Sequence, residues 1–268
     1  MLPLLGTASL ICVLAFALTW VLCVRIKNYG FLDAAFSYGV AVLAPFYAWN
    51  APGYAPRKIA FVTLGMAWSL RLGTYILLRI LRHHPQEDIR YEALRQRWRG
   101  PGMFLLFFEM QAVLVVLFSL PFLVAVFNPS TGFYPLELAG LALAAIALLG
   151  EATADWQMQK FKKNPLNRNA VCQAGLWNYS RHPNYFFEAL LWCALALAAL
   201  PSPWGWVCVL CPALMLYFLL RVTGIPLTEE YAIKSKGEAY RAYQRTTSAL
   251  IPWFKKTPSP GLSDTLHS

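Results

Sequence analysis

The chain has 268 residues, 58% hydrophobic and only 13% charged, with a mean hydropathy of +0.46. A soluble domain carries roughly 25% charged residues, so the shortfall excludes a soluble globular protein and predicts an all-α, polytopic integral membrane protein. The net charge of +10 lies beside apolar runs, where basic residues face anionic lipid and set topology, and this excludes nucleic acid as a partner.

A helix rises ~1.5 Å per residue, so a ~30 Å hydrocarbon core needs ~20 apolar residues. The first such run, 3–24, holds no charge and exceeds the core of a signal peptide, which predicts a retained helix. The second, 32–50, opens on Asp33. The third, 58–80, carries Arg71, Tyr75 and Arg79, and the mixed-charge stretch 86–92 follows it with Arg90 and Tyr91, then Arg95. The fourth, 103–127, contains Glu109. The fifth, 135–157, ends on Glu151 and Asp155, four apart and so on one helix face. A basic, turn-forming stretch, 160–168, comes next with Lys162, Asn167 and Arg168. The sixth and seventh runs are 184–200, with Glu188, and 204–224, with Arg221.

Basic residues cluster after the first, third and fifth runs and in the C-terminal tail, which all fall on one side if there are seven spans. The other side holds only Arg57 and Lys58. The positive-inside rule then predicts an external N-terminus and a cytosolic C-terminus. A single seven-helix membrane domain over 1–256, acting as a monomer, and a flexible tail over 257–268 complete the expected organisation. Of six cysteines, five fall in apolar runs and Cys172 in a loop; they read as small hydrophobes, and no metal is predicted.

Polar groups inside a span are costly and mark function or mutual pairing. Here they concentrate toward one end of their spans, as a single polar cavity entered from the cytosol would require. Asp33 and Glu109 are carboxylates near that surface with no obvious cation beside them in sequence, which makes them candidate acids. The stretch 175–188, Gly-Leu-Trp-Asn-Tyr-Ser-Arg-His-Pro-Asn-Tyr-Phe-Phe-Glu, is the most informative. Pro183 suits a first helical turn, and Asn184, Tyr185 and Glu188 then share a face. Free N–H groups at that helix start, with Arg181 beside them, suit an anion such as a phosphate.

The same stretch resembles the C-terminal signature of the membrane steroid 5α-reductase family and its bacterial relatives. Sterol C14-reductases and isoprenylcysteine carboxyl methyltransferases share a looser form. The tail Glu229-Glu230-Tyr231, Gly237-Glu-Ala-Tyr240-Arg-Ala-Tyr243 and Ala249-Leu-Ile-Pro-Trp253 is similar to the same superfamily. The resemblance implies a seven-helix fold that binds NADPH in its cytosolic half. It also implies hydride transfer to the β-carbon of an α,β-unsaturated ketone, most simply a 3-oxo-4-ene steroid, while an acid polarises the carbonyl. By this resemblance Asp155 and Lys162 bind the cofactor, and Asn184, Tyr185 and Glu188 contact its nicotinamide end. Arg71 and Tyr75 match an Arg and a Tyr of the third helix, and Tyr91 a Tyr that follows it. Arg90, Arg95, Lys162 and Arg168 are cations available to the 2′-phosphate. Asn167, Tyr179, Arg181, His182 and Tyr231, from the same basic and motif segments, complete the candidate cofactor set. Asp33 stands near the family's acidic position in the second helix, while Trp68 holds the place of a family Tyr.

The expected partners are a lipophilic, steroid-like enone and membrane lipid, in a multi-pass protein of a bacterial inner membrane whose site opens to the cytosol. A second reading, a membrane methyltransferase using S-adenosylmethionine, shares Arg181-His182-Pro183 and the Glu-Glu and Tyr-x-x-Tyr tail. Asn184 followed by an aromatic, the Ala-Leu-Ile-Pro ending, Asp155 and Glu188 favour the reductase. A transporter or receptor lacks the inverted repeat it would need.

Overall fold

A computed structural model describes residues 1–98 and 100–256. The tail expected over 257–268 lies outside the described residues, which contain helices and no strand. Helix α1 is Leu2–Ile26, α2 Phe31–Asn50 and α3 Ala55–His83. A short helix, α4, covers Ile89–Arg97; α5 is Pro101–Phe118 and α6 Leu120–Val126. Then come α7 at Pro135–Lys163, α8 at Pro183–Ala199, α9 at Leu210–Tyr217, α10 at Ile225–Lys236 and α11 at Glu238–Thr246.

Among the described residues six stretches are long and apolar enough to cross a membrane: Leu2–Ile26, Phe31–Asn50, Ala55–His83, Pro101–Val126, Pro135–Lys163 and Gly205–Lys236. Of the seven expected spans, the sixth, at 184–200, is not among these six. There α8 is an apolar helix of 17 residues, ~26 Å long at ~1.5 Å per residue and so shorter than the hydrocarbon core. Two other runs are not single α-helices. Pro121 lacks the N–H that would continue α5, and the chain re-enters α6 through Ser119. The last run passes from a 3₁₀ turn at Gly205–Val209 through α9 into a π-helical turn at Phe218–Val222. Its signature is a bond from the Thr223 N–H to the Phe218 carbonyl, five residues back, at 3.0 Å.

The described residues form two compact units. The first comprises Met1–Ala142 and Ala194–Cys211. Between apolar helices in lipid the attraction is mainly close packing, which small residues permit. Gly39 of α2 meets Val115 of α5 so closely that a Cβ there would lie 2.4 Å from Val115 Cγ1, and a Cβ at Gly73 of α3 would lie 2.8 Å from the Tyr38 ring. Tyr29, at the α1–α2 corner, stacks on Phe104 with centroids 3.8 Å apart. Toward the α2–α3 corner Arg57 is fully buried. Its Nε donates to Glu137 Oε1 at 2.5 Å, Nη2 to Glu137 Oε2 at 3.1 Å and Nη1 to the Ser130 carbonyl at 2.8 Å. Arg57 was expected to be a loop charge. It is instead one half of a buried ion pair, because Glu137 of α7 neutralises it where water cannot.

The second unit comprises Leu143–Cys193 and the described residues from Pro212 onward. Gly150 of α7 lies against the Phe187 ring of α8, 2.4 Å from where its Cβ would be. The turn Gly175–Asn178 docks on α7. Trp177 donates its indole N–H to the Ala154 carbonyl at 2.9 Å, and the Leu176 N–H reaches Gln157 Oε1 at 2.9 Å. Gly175 has φ +59 and sits against the Gln157 side chain, so the turn needs glycine there.

Candidate functional site

In the first unit the polar groups converge where α4 meets the start of α2. The Asp88 carboxylate caps α4, accepting from the Arg90 N–H at 3.0 Å. This cap starts a helix that the sequence reading leaves as a charged loop, and it turns residues 90 and 91 toward α2. Tyr91, 4% exposed, donates its hydroxyl to Asp33 Oδ1 at 2.6 Å. Arg90 Nη2 donates to the other oxygen, Asp33 Oδ2, at 2.7 Å, and Arg90 Nε to Asp88 Oδ1 at 2.9 Å. A second clasp holds the same corner. Arg95 pairs with Glu87 at 2.9 Å and lies 4.7 Å over the Tyr29 ring, while Glu87 Oε1 accepts from the Tyr29 N–H at 2.5 Å.

Burial, then the neighbouring Asp33, pushes the Tyr91 hydroxyl well above its ordinary value. Burial alone would raise the Asp88 carboxyl. The hydrogen bonds and charge of Arg90, with Arg79 beyond, outweigh it and hold the group below the ordinary carboxylate value. Burial also works against the Arg90 charge, and Asp88 and Asp33 overcome it, so the guanidinium is held protonated more firmly than usual.

Asp33 does have a cation beside it, Arg90, brought from 57 residues along the chain. Both its oxygens accept hydrogen bonds, Oδ1 from Tyr91 and Oδ2 from Arg90. The donor of the group is Tyr91. Arg90 and Arg95 are likewise taken up by carboxylates. Glu109, on α5, stands apart: its Oε2 is buried and has no hydrogen-bond partner among the described residues. Arg71 and Tyr75 lie one turn apart on one face of α3, both half-buried; Trp68 is buried on the same helix.

In the second unit the segment before α8 is held from three sides. Arg181 Nε donates to Glu229 Oε1 at 2.6 Å, and Nη1 to the carbonyls of Thr247 at 2.6 Å and Gln244 at 3.0 Å. His182 Nε2 shares Glu229 Oε1 at 3.1 Å. The His182 ring stacks on Tyr185 with centroids 5.3 Å apart, and the Tyr185 hydroxyl meets Thr228 Oγ1 at 3.0 Å. Arg181 and His182 are thus buttresses of the helix start, and Glu229, absent from the sequence-based set, is their shared acceptor. Its only signal was its place in the Glu-Glu-Tyr tail pattern.

On α8 itself, Glu188 is buried and accepts from the Trp192 indole at 2.8 Å. Asn184, on the same face, buries its carboxamide oxygen with no hydrogen-bond partner among the described residues. A buried acceptor left open in this way is complementary to an N–H donor of a ligand, such as a carboxamide or an amino group. Asp155 on α7 is half-buried, and Lys162 and Arg168 are exposed. Asn167 spends its amide on the Phe161 carbonyl at 2.9 Å. Tyr179 is exposed, its carbonyl accepting from the Trp253 N–H at 2.9 Å, and Tyr231 lies under Lys234 at 5.7 Å. Among the described residues no His, Cys, Asp and Glu gather as a metal set.

A family model described as "Protein of unknown function (DUF1295)" matches residues 19–247. The chain belongs to the DUF1295 family. The matched DUF1295 region runs from within α1 to the end of α11, so it includes both clusters, from Asp33 to Thr247. Among curated proteins the chain is similar to the "Probable O-methyltransferase ustE" of Ustilaginoidea virens. The two are 28% identical over 127 residues, 47% of this chain and 42% of that protein. The chain therefore matches less than half the length of that relative. No solved structure matches the chain.

Proposed function

We propose that this DUF1295 member is an NADPH-dependent membrane reductase that saturates the C=C bond of a lipophilic α,β-unsaturated ketone. The observation that carries the reading is the Tyr91 hydroxyl, buried, held in its protonated form and ordered at 2.6 Å from Asp33. Its support from sequence is the resemblance of 175–188 and the tail to the steroid 5α-reductase family. Bound NADPH supplies the hydride that goes to the β-carbon. As the carbonyl oxygen gains charge, Tyr91 turns its O–H from Asp33 toward that oxygen. Arg90 keeps Asp33 compensated when the hydroxyl leaves, so no unpaired charge is created. A donor aimed at developing charge is worth ~10²–10³ in rate. In the second unit Asn184 would accept from an N–H of the nucleotide, and Lys162 and Arg168 would attract its phosphates. The α-carbon then takes its proton from water.

One observation favours a second reading. The similarity to a protein named as an O-methyltransferase suggests S-adenosylmethionine as the nucleotide, whose amino groups would also suit the open Asn184 oxygen. Titration of the detergent-solubilised protein with each compound separates the two. Binding of NADPH, and loss of it in Asn184→Leu, is the expected result. Binding of S-adenosylmethionine without NADPH would replace the reductase by the methyltransferase.

A further inference from the structure

We propose that Glu229 is the positioning residue of the nucleotide site: by holding Arg181 and His182 together it sets the first turn of α8, and so the direction in which Asn184 presents its open acceptor. The inference rests on the reading of α8 as the nucleotide-binding helix.

Both Glu229 oxygens accept hydrogen bonds. Oε1 receives Arg181 Nε at 2.6 Å and His182 Nε2 at 3.1 Å, and Oε2 receives Gln244 Nε2 at 2.7 Å. Its side chain is 14% exposed, that of Arg181 11% and that of His182 3%. A carboxylate shielded to this degree and shared by three donors has little freedom to serve a ligand directly. What it does is join segments far apart in sequence. Glu229 belongs to α10, Gln244 to α11, and Arg181 and His182 immediately precede α8.

The backbone carries the same connection. The Arg181 N–H donates to the Ser248 carbonyl at 2.9 Å, and Tyr243 donates its hydroxyl to the Ser180 carbonyl at 3.0 Å. The His182 carbonyl accepts from the Phe186 N–H at 3.1 Å, so the residue Glu229 grips is part of the first α8 hydrogen bond. His182 also stacks on Tyr185, next in chain to Asn184. A shift of the His182 ring is therefore passed to the turn that bears Asn184. Replacing the carboxylate by an amide keeps the shape and removes the charge that satisfies Arg181.

The test uses the full-length protein in detergent, with hydrogen exchange of the 180–188 amides without nucleotide and NADPH affinity as separate readouts. Glu229→Gln should speed exchange in 180–188 and raise the Kd for NADPH by about 10- to 100-fold, the loss of hydrogen bonds to charged groups. Gln244→Ala, which removes one of the three donors and keeps the charge pair, should move both in the same direction by less. A lesion of stability alone lowers the amount of competent protein and leaves the Kd of the remainder unchanged. Unchanged exchange, or faster exchange with unchanged Kd, overturns the proposal. If Glu229→Gln does not fold, Gln244→Ala decides it by the same two readouts. If the wild-type protein binds no NADPH, the reading of the site fails, and exchange in 180–188 still decides whether Glu229 orders the start of α8.

Discussion

Tyr91 shows how one residue's role depends on what is brought to it. A phenol in water ionises near ~10; burial and the Asp33 carboxylate push Tyr91 well above that value. The sign matters for activity: a raised value means the proton is kept, so the turnover number should stay level from neutral pH up to the ordinary phenol value as far as this group is concerned. Tyr91→Phe should lower kcat by ~10²–10³ with little change in nucleotide affinity. Asp33→Asn should cost less in kcat and more in stability, because Arg90 then has Asp88 alone to offset it. Glu109→Gln should change kcat little. Steady-state kinetics on an enone substrate check all three, and loss confined to Glu109→Gln would move the donor to α5.

At the scale of the element, α4 is held by its cap and α2 by its closest approach. The Asp88 carboxyl has a depressed value in the fold. The stability it contributes is therefore present above the ordinary carboxylate value of ~4 and is lost as pH falls through the lower folded value. Thermal melting below pH 4 should show the wild type losing an advantage over Asp88→Asn that it holds at pH 7. For α2, Gly39→Ala would force Val115 aside. Overpacking of this kind costs ~1–3 kcal/mol, and Val115→Ala in the same chain should recover most of it. Gly6 of α1 has nothing within 4 Å of an added Cβ, so Gly6→Ala serves as the control, with unchanged or slightly higher melting. The long apolar runs were legible because length and hydrophobicity alone define them. Helix α4 was not, since its start depends on one side-chain cap rather than on a periodic pattern.

For the whole molecule, the reading of α8 as the sixth of seven spans predicts an external N-terminus and a cytosolic C-terminus. A fluorescent protein fused after Lys256 should fold in the cytosol, and alkaline phosphatase fused within the 129–134 loop should be active outside; both reporters on one side would require an even number of spans, and the reverse pattern would invert the orientation. By itself the sequence determined the class of the protein, the order of its apolar helices and the face that groups Asn184 with Glu188. Each of these follows from local composition or from helical spacing, which the chain carries with it. Only the tertiary structure decided the pairings: Arg57 with Glu137 across 80 residues, Arg90 and Tyr91 with Asp33 across 57 and 58, and Arg181 with Glu229 across 48. Charged and hydrogen-bonding groups act over a few ångströms in a buried setting, so which carboxylate meets which cation depends on where distant helices come to rest against one another, and no spacing along the chain records that.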